Sequence, residues 1–187
     1  MQRHYFIAVR LPEEVKYYLS EVARKVSSLY SFKRWVHRED YHITLAFLGP
    51  SEEQQWKACM EDITKEIAFM SPFQLHVSHV GVFGLSERPR IFWCGLSENE
   101  MLGTLQKKVA QACKQHQYRI DEKPFRPHIT MARKYEGSVN FTQEDLRRCN
   151  LVLNEGITFM GNAVTLYESH VEKEQKYQAL QTIYIGK

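Results

Sequence analysis

Residues 41–48 read YHITLAFL and residues 127–133 read PHITMAR. Both are short apolar runs rich in β-forming residues, and Gly49-Pro50 closes the first, so both read as strands. Side chains of a strand alternate between its faces, and residues i and i+2 share one. His42 and Thr44 therefore project together while Ile43 turns into the opposite, apolar layer. His128, Thr130 and Ile129 repeat the arrangement. One His-x-Thr is easily chance; the same tripeptide at matched places in the chain is not.

The matched places emerge on working outward. Residues 5–11 (YFIAVRL) read as a buried strand, and Pro12 opens a helix to about residue 30, with Glu13 and Glu14 in its first turn. A short extended segment surrounds Trp35 at residues 34–36. After the first His-Ile-Thr strand, Ser51 backed by Glu52 and Glu53 predicts the N-cap of a helix to about residue 69. Residues 72–83 alternate well enough for one long strand or two short ones. In the second half, residues 91–96 read as a strand, a helix runs from Ser97 to about residue 117, and the second His-Ile-Thr strand follows. Thr142 with Glu144 and Asp145 starts a short helix; strands are expected over residues 157–168 and 177–185.

His42 stands 31 residues after Leu11, and His128 stands 32 after Leu96. Each half reads strand, long helix, His-Ile-Thr strand, helix, strand. This is taken as an internal duplication, roughly residues 5–83 and 91–168, within one two-lobed domain over residues 1–187; two copies are too few for a solenoid. If the units pack about a pseudo-twofold axis, two imidazoles and two hydroxyls line one groove.

That set suits phosphodiester hydrolysis. One group must take a proton from the attacking water and another must give one to the departing ribose oxygen. Histidine, with a reference pKa of about 6.5, lets one copy be neutral and the other protonated near neutrality. Threonine hydroxyls can donate to the non-bridging phosphate oxygens. RNA, with its 2′-hydroxyl, is the natural source of cyclic phosphate esters.

The whole chain sets wide bounds. At 187 residues, 43% hydrophobic and 25% charged, it has the composition of an ordinary globular domain that needs no disulfide or metal staple. The net charge of +3 and pI of about 8.6 are compatible with a phosphate-bearing substrate, but the basic residues are dispersed. Cys59, Cys94, Cys113 and Cys149 form no CxxC pair, which fits a reducing compartment. There is no signal-peptide pattern and no apolar run of membrane-spanning length, so a cytoplasmic protein is expected. His76 and His79 (HVSH) face opposite ways on a strand, so no metal cofactor is expected, and no glycine-rich nucleotide-triphosphate motif is found.

At the two His-Ile-Thr sites the chain resembles the two-histidine (2H) phosphoesterases, and more narrowly the RNA 2′,3′-cyclic phosphodiesterase branch, also called LigT-like or ThpR. The resemblance covers nearly the whole chain: FIAVRLPEE at residues 6–14, WVHREDYHITLAFLG at 35–49, RPRIFWCGL at 88–96, PFRPHITMAR at 124–133 and LYES at 166–169. It is weaker in the helices and over residues 136–153. It implies an α+β fold of two pseudo-symmetric lobes, each a small antiparallel sheet backed by helices, around a cleft. It also implies hydrolysis of an RNA 2′,3′-cyclic phosphate to a 2′-phosphomonoester, with His42 as proton donor and His128 as proton acceptor. The residues themselves leave those roles open, because the two sites look alike.

Further substrate-binding candidates are Arg126, which shares parity with His128, and Arg133, which has opposite parity and would reach the phosphate only past a strand end or a bulge. Phe6 and Tyr41, with Trp35, could stack a base, although aromatic residues are more often core. The expected partner is an RNA end or cyclic nucleotide bearing a 2′,3′-cyclic phosphate, met by a monomer without membrane or metal. Three alternatives stand: a 2′-5′ RNA ligase of the same fold, a 2H enzyme acting on small cyclic nucleotides or an ADP-ribose cyclic phosphate, and a non-catalytic RNA-binding module.

Overall fold

A computed structural model describes residues 3–186. In chain order the elements are β1 (His4–Arg10), α1 (Glu13–Ser27), β2 (Phe32–Trp35), a 3₁₀ turn (Arg38–Asp40), β3 (His42–Pro50), α2 (Glu53–Ile67), β4 (Phe73–Leu85), β5 (Arg88–Leu96), α3 (Glu100–Gln115), β6 (His128–Tyr135), α4 (Gln143–Leu153), β7 (Ile157–Gly161), β8 (Ala163–Ser169) and β9 (Tyr177–Tyr184). They form two antiparallel sheets, ordered β3-β1-β8-β9 and β2-β6-β5-β4-β7. Helices α2 and α3 pack together behind the first sheet, α1 and α4 behind the second, and β3 meets β6 where the sheets adjoin. The protein is an α+β fold of two lobes.

The sheets do not coincide with the two halves of the sequence. In the first half, β1 and β3 stay together, but β4 crosses over to pair with β5. In the second half, β5 and β6 stay together, but β8 crosses back to pair with β1. The strand expected over residues 157–168 is thus two: β7 ends at Gly161 on the edge of the second sheet, Asn162 interrupts, and β8 enters the middle of the first. A Cβ on Gly161 would lie 2.9 Å from Leu75 Cδ1, so a larger residue at the crossing point would have to displace the Leu75 side chain.

Two predicted helix starts shift. The helix after β3 is capped at Glu52, and the Ser51 hydroxyl bonds Tyr118 and Gln55 instead. Helix α3 starts at Glu100, three residues beyond Ser97, and its N-cap is Asn99, whose carboxamide oxygen accepts from the Leu102 amide at 2.9 Å. Thr142 caps α4 as expected, in a reciprocal capping box with Asp145.

Ile43 and Ile129 are fully buried, one behind each His-Ile-Thr strand. Burying an aliphatic side chain contributes about 1.5–3 kcal/mol. A one-residue slip would expose it, so burial fixes which way the histidines face.

Candidate active site

Both His-Ile-Thr strands carry the same irregularity. On β3, Ile7 pairs Ala46 and Ala8 pairs Thr44, which leaves Leu45 as an extra residue. On β6, Phe92 pairs Ala132 and Trp93 pairs Thr130, which leaves Met131 as the extra residue. Each bulge buries two successive residues, Leu45-Ala46 and Met131-Ala132, and reverses the parity beyond it. Phe47, 68% exposed, and Arg133, half-buried, therefore return to the face that carries the histidines.

His42 is locked from behind. Its Nδ1–H donates to the Asp40 carbonyl oxygen at 2.7 Å, and since a carbonyl only accepts, this fixes the tautomer with Nε2 unprotonated. Nε2 lies 3.1 Å from the Thr44 hydroxyl, which donates to it. The ring packs on Phe6 (4.7 Å between centroids), edge-on to Tyr177 (5.2 Å) and near Tyr167 (6.1 Å). Burial among these rings disfavours the imidazolium and pushes the pKa down to about 4; the Asp40 carbonyl opposes this, and the charges of His128 and Arg133 add to it.

The Asp40 carboxylate braces the same ring indirectly. It is buried and accepts from the backbone amides of Lys176 at 2.8 Å and Tyr177 at 3.0 Å. One residue thus anchors His42 through its carbonyl and seats Tyr177 through its side chain.

His128 repeats the lock: its Nδ1–H donates to the Arg126 carbonyl oxygen at 2.7 Å. Its ring stands perpendicular to Phe83 (5.0 Å) and 6.1 Å from Trp93. Burial again lowers the pKa, the Arg126 carbonyl opposes it and Arg133 adds to the lowering. A cavity of about 420 Å³ opens beside His128, with Phe83, Trp93, Phe125 and Arg126 in its wall. Trp93 lies flat over Gly81, where a Cβ would come within 2.2 Å of the indole.

Two predicted base stackers are corrected. Phe6 is 4% exposed, wedged between His42 and Tyr167, so its faces are taken up by those rings instead of being open to a base. Tyr41 is 2% exposed and faces the core, where burial raises its hydroxyl pKa. Trp35 packs against Phe32 and Phe92. Arg126 is exposed, and it meets His128 through its carbonyl. Arg133 would point away in a regular strand, and the bulge at Met131 supplies the exception that turns it back to the histidine face. Tyr167, Tyr177, Phe83 and Trp93 carry no motif that marks them as ring neighbours of the histidines.

Residues 12–172 match the 2′-5′ RNA ligase superfamily. The RNA 2′,3′-cyclic phosphodiesterase of Bacillus subtilis (strain 168) is 30% identical over 178 residues, 95% of this chain and 93% of that one. The chain belongs to this family. A second RNA 2′,3′-cyclic phosphodiesterase, from Geobacillus stearothermophilus, is 39% identical over 95% of the chain, and the chain spans 55% of that relative's length. The fold is also that of E. coli LigT solved with 3′-AMP (TM-score 0.79, 21% identity, 100% of both chains) and of a Thermus thermophilus protein (0.78, 23%, 98% of both). Among the described residues no three His, Cys, Asp or Glu side chains gather to hold a metal ion, and no helix is long and apolar enough to cross a membrane.

Proposed function

We propose that the chain hydrolyses 2′,3′-cyclic phosphate ends of RNA to 2′-phosphomonoesters. Water attacks phosphorus and the bond to O3′ breaks. His128 Nε2 takes the proton of the water, and protonated His42 gives its Nε2 proton to O3′. Thr44 and Thr130 donate to the non-bridging oxygens. The observation that carries this reading is the pair of imidazoles, each with Nδ1 tied to a carbonyl two residues upstream so that Nε2 is the working nitrogen. The relatives named as RNA 2′,3′-cyclic phosphodiesterases support the substrate class.

A proton donor with a pKa of about 4 is mostly neutral in the free chain. The anionic substrate corrects this. A negative oxygen about 4 Å from the ring is worth about 4 kcal/mol at an effective dielectric of about 20, or roughly three pKa units, which restores the imidazolium near neutrality.

The test is hydrolysis of a 2′,3′-cyclic mononucleotide in EDTA. The expected product is the 2′-phosphate, formed at a rate the chelator does not change. Loss of turnover in EDTA, restored by zinc or manganese, would overturn the metal-independent scheme, and no turnover under any condition would favour a binding module.

A further inference from the structure

An RNA with a 2′,3′-cyclic end continues in one direction only, 5′ of the terminal ribose, and each upstream phosphodiester carries a negative charge. The surroundings of the histidines offer three ways out. The cavity beyond Phe47, about 720 Å³, mixes Arg3 with Glu172, and Arg3 is already bound to the buried Glu168 at 3.0 Å. The cavity beside His128 sets Glu98 against Arg126.

The third way begins at Tyr177, against the His42 ring, in a cavity of about 210 Å³ that also holds Trp35, Arg34 and Arg133. Arg34 and Arg133, paired across β2 and β6, then border a second concavity of about 370 Å³ with Lys33, Arg90 and Lys134 and no acidic residue in its lining. Among the described residues Arg34, Arg90, Arg133 and Lys134 make no ion pair; Lys33 has one long contact, 4.0 Å, with exposed Glu136. In the first of these cavities Glu174 is the remaining acid, because the Asp40 carboxylate is occupied by two backbone amides. Lys134 follows Arg133 directly and in a regular strand would face away, but its φ of +56° turns the backbone so that both line the same concavity. Unpaired cations held together in this way, continuous with the catalytic cleft, are the footprint of a phosphate backbone.

We propose that the RNA strand leading to the cyclic end leaves the cleft past Arg133 and crosses the cations Arg34, Arg90 and Lys134. The proposal rests on the phosphodiesterase reading above and adds that an oligonucleotide end, not a mononucleotide, fills the site. Single-stranded phosphates neutralised by a protein give a salt slope of about −0.7 per contact, so four cations give roughly −2.8.

The test pairs two substrates, a 2′,3′-cyclic mononucleotide and an RNA of about ten nucleotides with the same end, on the wild type and the double variant Arg34→Glu/Arg90→Glu. Both arginines are exposed, so the fold tolerates the change. The expected result is a KM for the oligonucleotide raised about 10- to 100-fold, a salt slope shallower by about 1.4, and unchanged mononucleotide hydrolysis. Equal effects on both substrates, or an oligonucleotide KM that stays put, would overturn the track. So would a wild type that prefers neither substrate at low salt. Binding of the wild type, but not the variant, to anionic lipid vesicles without any change in oligonucleotide KM would assign the patch to a membrane surface instead. A wild type that hydrolyses neither substrate would count against the phosphodiesterase reading itself.

Discussion

The two His-Ile-Thr sites share a tripeptide, a bulge and a carbonyl lock, yet they differ in what surrounds the ring. His42 sits among Phe6, Tyr167 and Tyr177, and its pKa falls to about 4. His128 meets Phe83 and Trp93 beside an open cavity, with its pKa also held below the ordinary value. The position after each bulge differs as well: Phe47 in one lobe, Arg133 in the other. Equal local geometry sits in unequal surroundings, and it is burial and nearby charge, not the motif, that set the protonation of each ring.

The largest test of that comparison is removal of either imidazole. His42→Ala and His128→Ala should each lower kcat by about 10² to 10⁴. A substrate with a good leaving group needs no proton at the departing oxygen, so it should rescue His42→Ala far more than His128→Ala. Equal rescue would refute the assigned roles, and full activity in either variant, with circular dichroism unchanged, would refute the site.

The threonines come next. Thr44→Ala and Thr130→Ala each remove one neutral donor, which should cost on the order of 10- to 10²-fold in kcat, from about 1.4 kcal/mol per factor of ten. Thr44 also donates to His42 Nε2, so its loss should shift the pH profile. Identical profiles for the two variants would show that the hydroxyl does not distinguish the lobes.

The smallest effect concerns pH. Lowered histidine pKa values place both limbs of the free-enzyme kcat/KM profile on the acid side, one near pH 4 and the other below the reference of about 6.5. The kcat profile reports the complex and should lie at higher pH, because bound phosphate favours both imidazolium forms. Coincident profiles would rule out the phosphate correction. Asp40→Asn replaces an oxygen that accepts from a backbone amide with a donor, loosens Tyr177 and opens His42 to water. The acid limb should then rise from about 4, with kcat at its optimum reduced a few-fold; an unmoved limb would mean that Asp40 only supports the fold.

Much of this site was legible in the residues. Alternation in a strand is a local property, so the shared face of His42 with Thr44, and of His128 with Thr130, followed from residue order once Ile43 and Ile129 were assigned to the core. The order of strands and helices followed from periodicity and from local caps such as Thr142. Partner choice did not, because a period of two is the same whichever sheet a strand joins. Only the tertiary structure showed β4 and β8 exchanged between lobes and the run over residues 157–168 divided at Asn162. It also decided Arg133: a bulge is a mismatch between two strands, absent from either strand alone, and Met131 against β5 reverses the parity that the sequence implied. Phe6 and Tyr41 read alike as aromatic candidates, and their burial depended on what folds over them: Tyr177, from the far end of the chain, over the first and the core over the second.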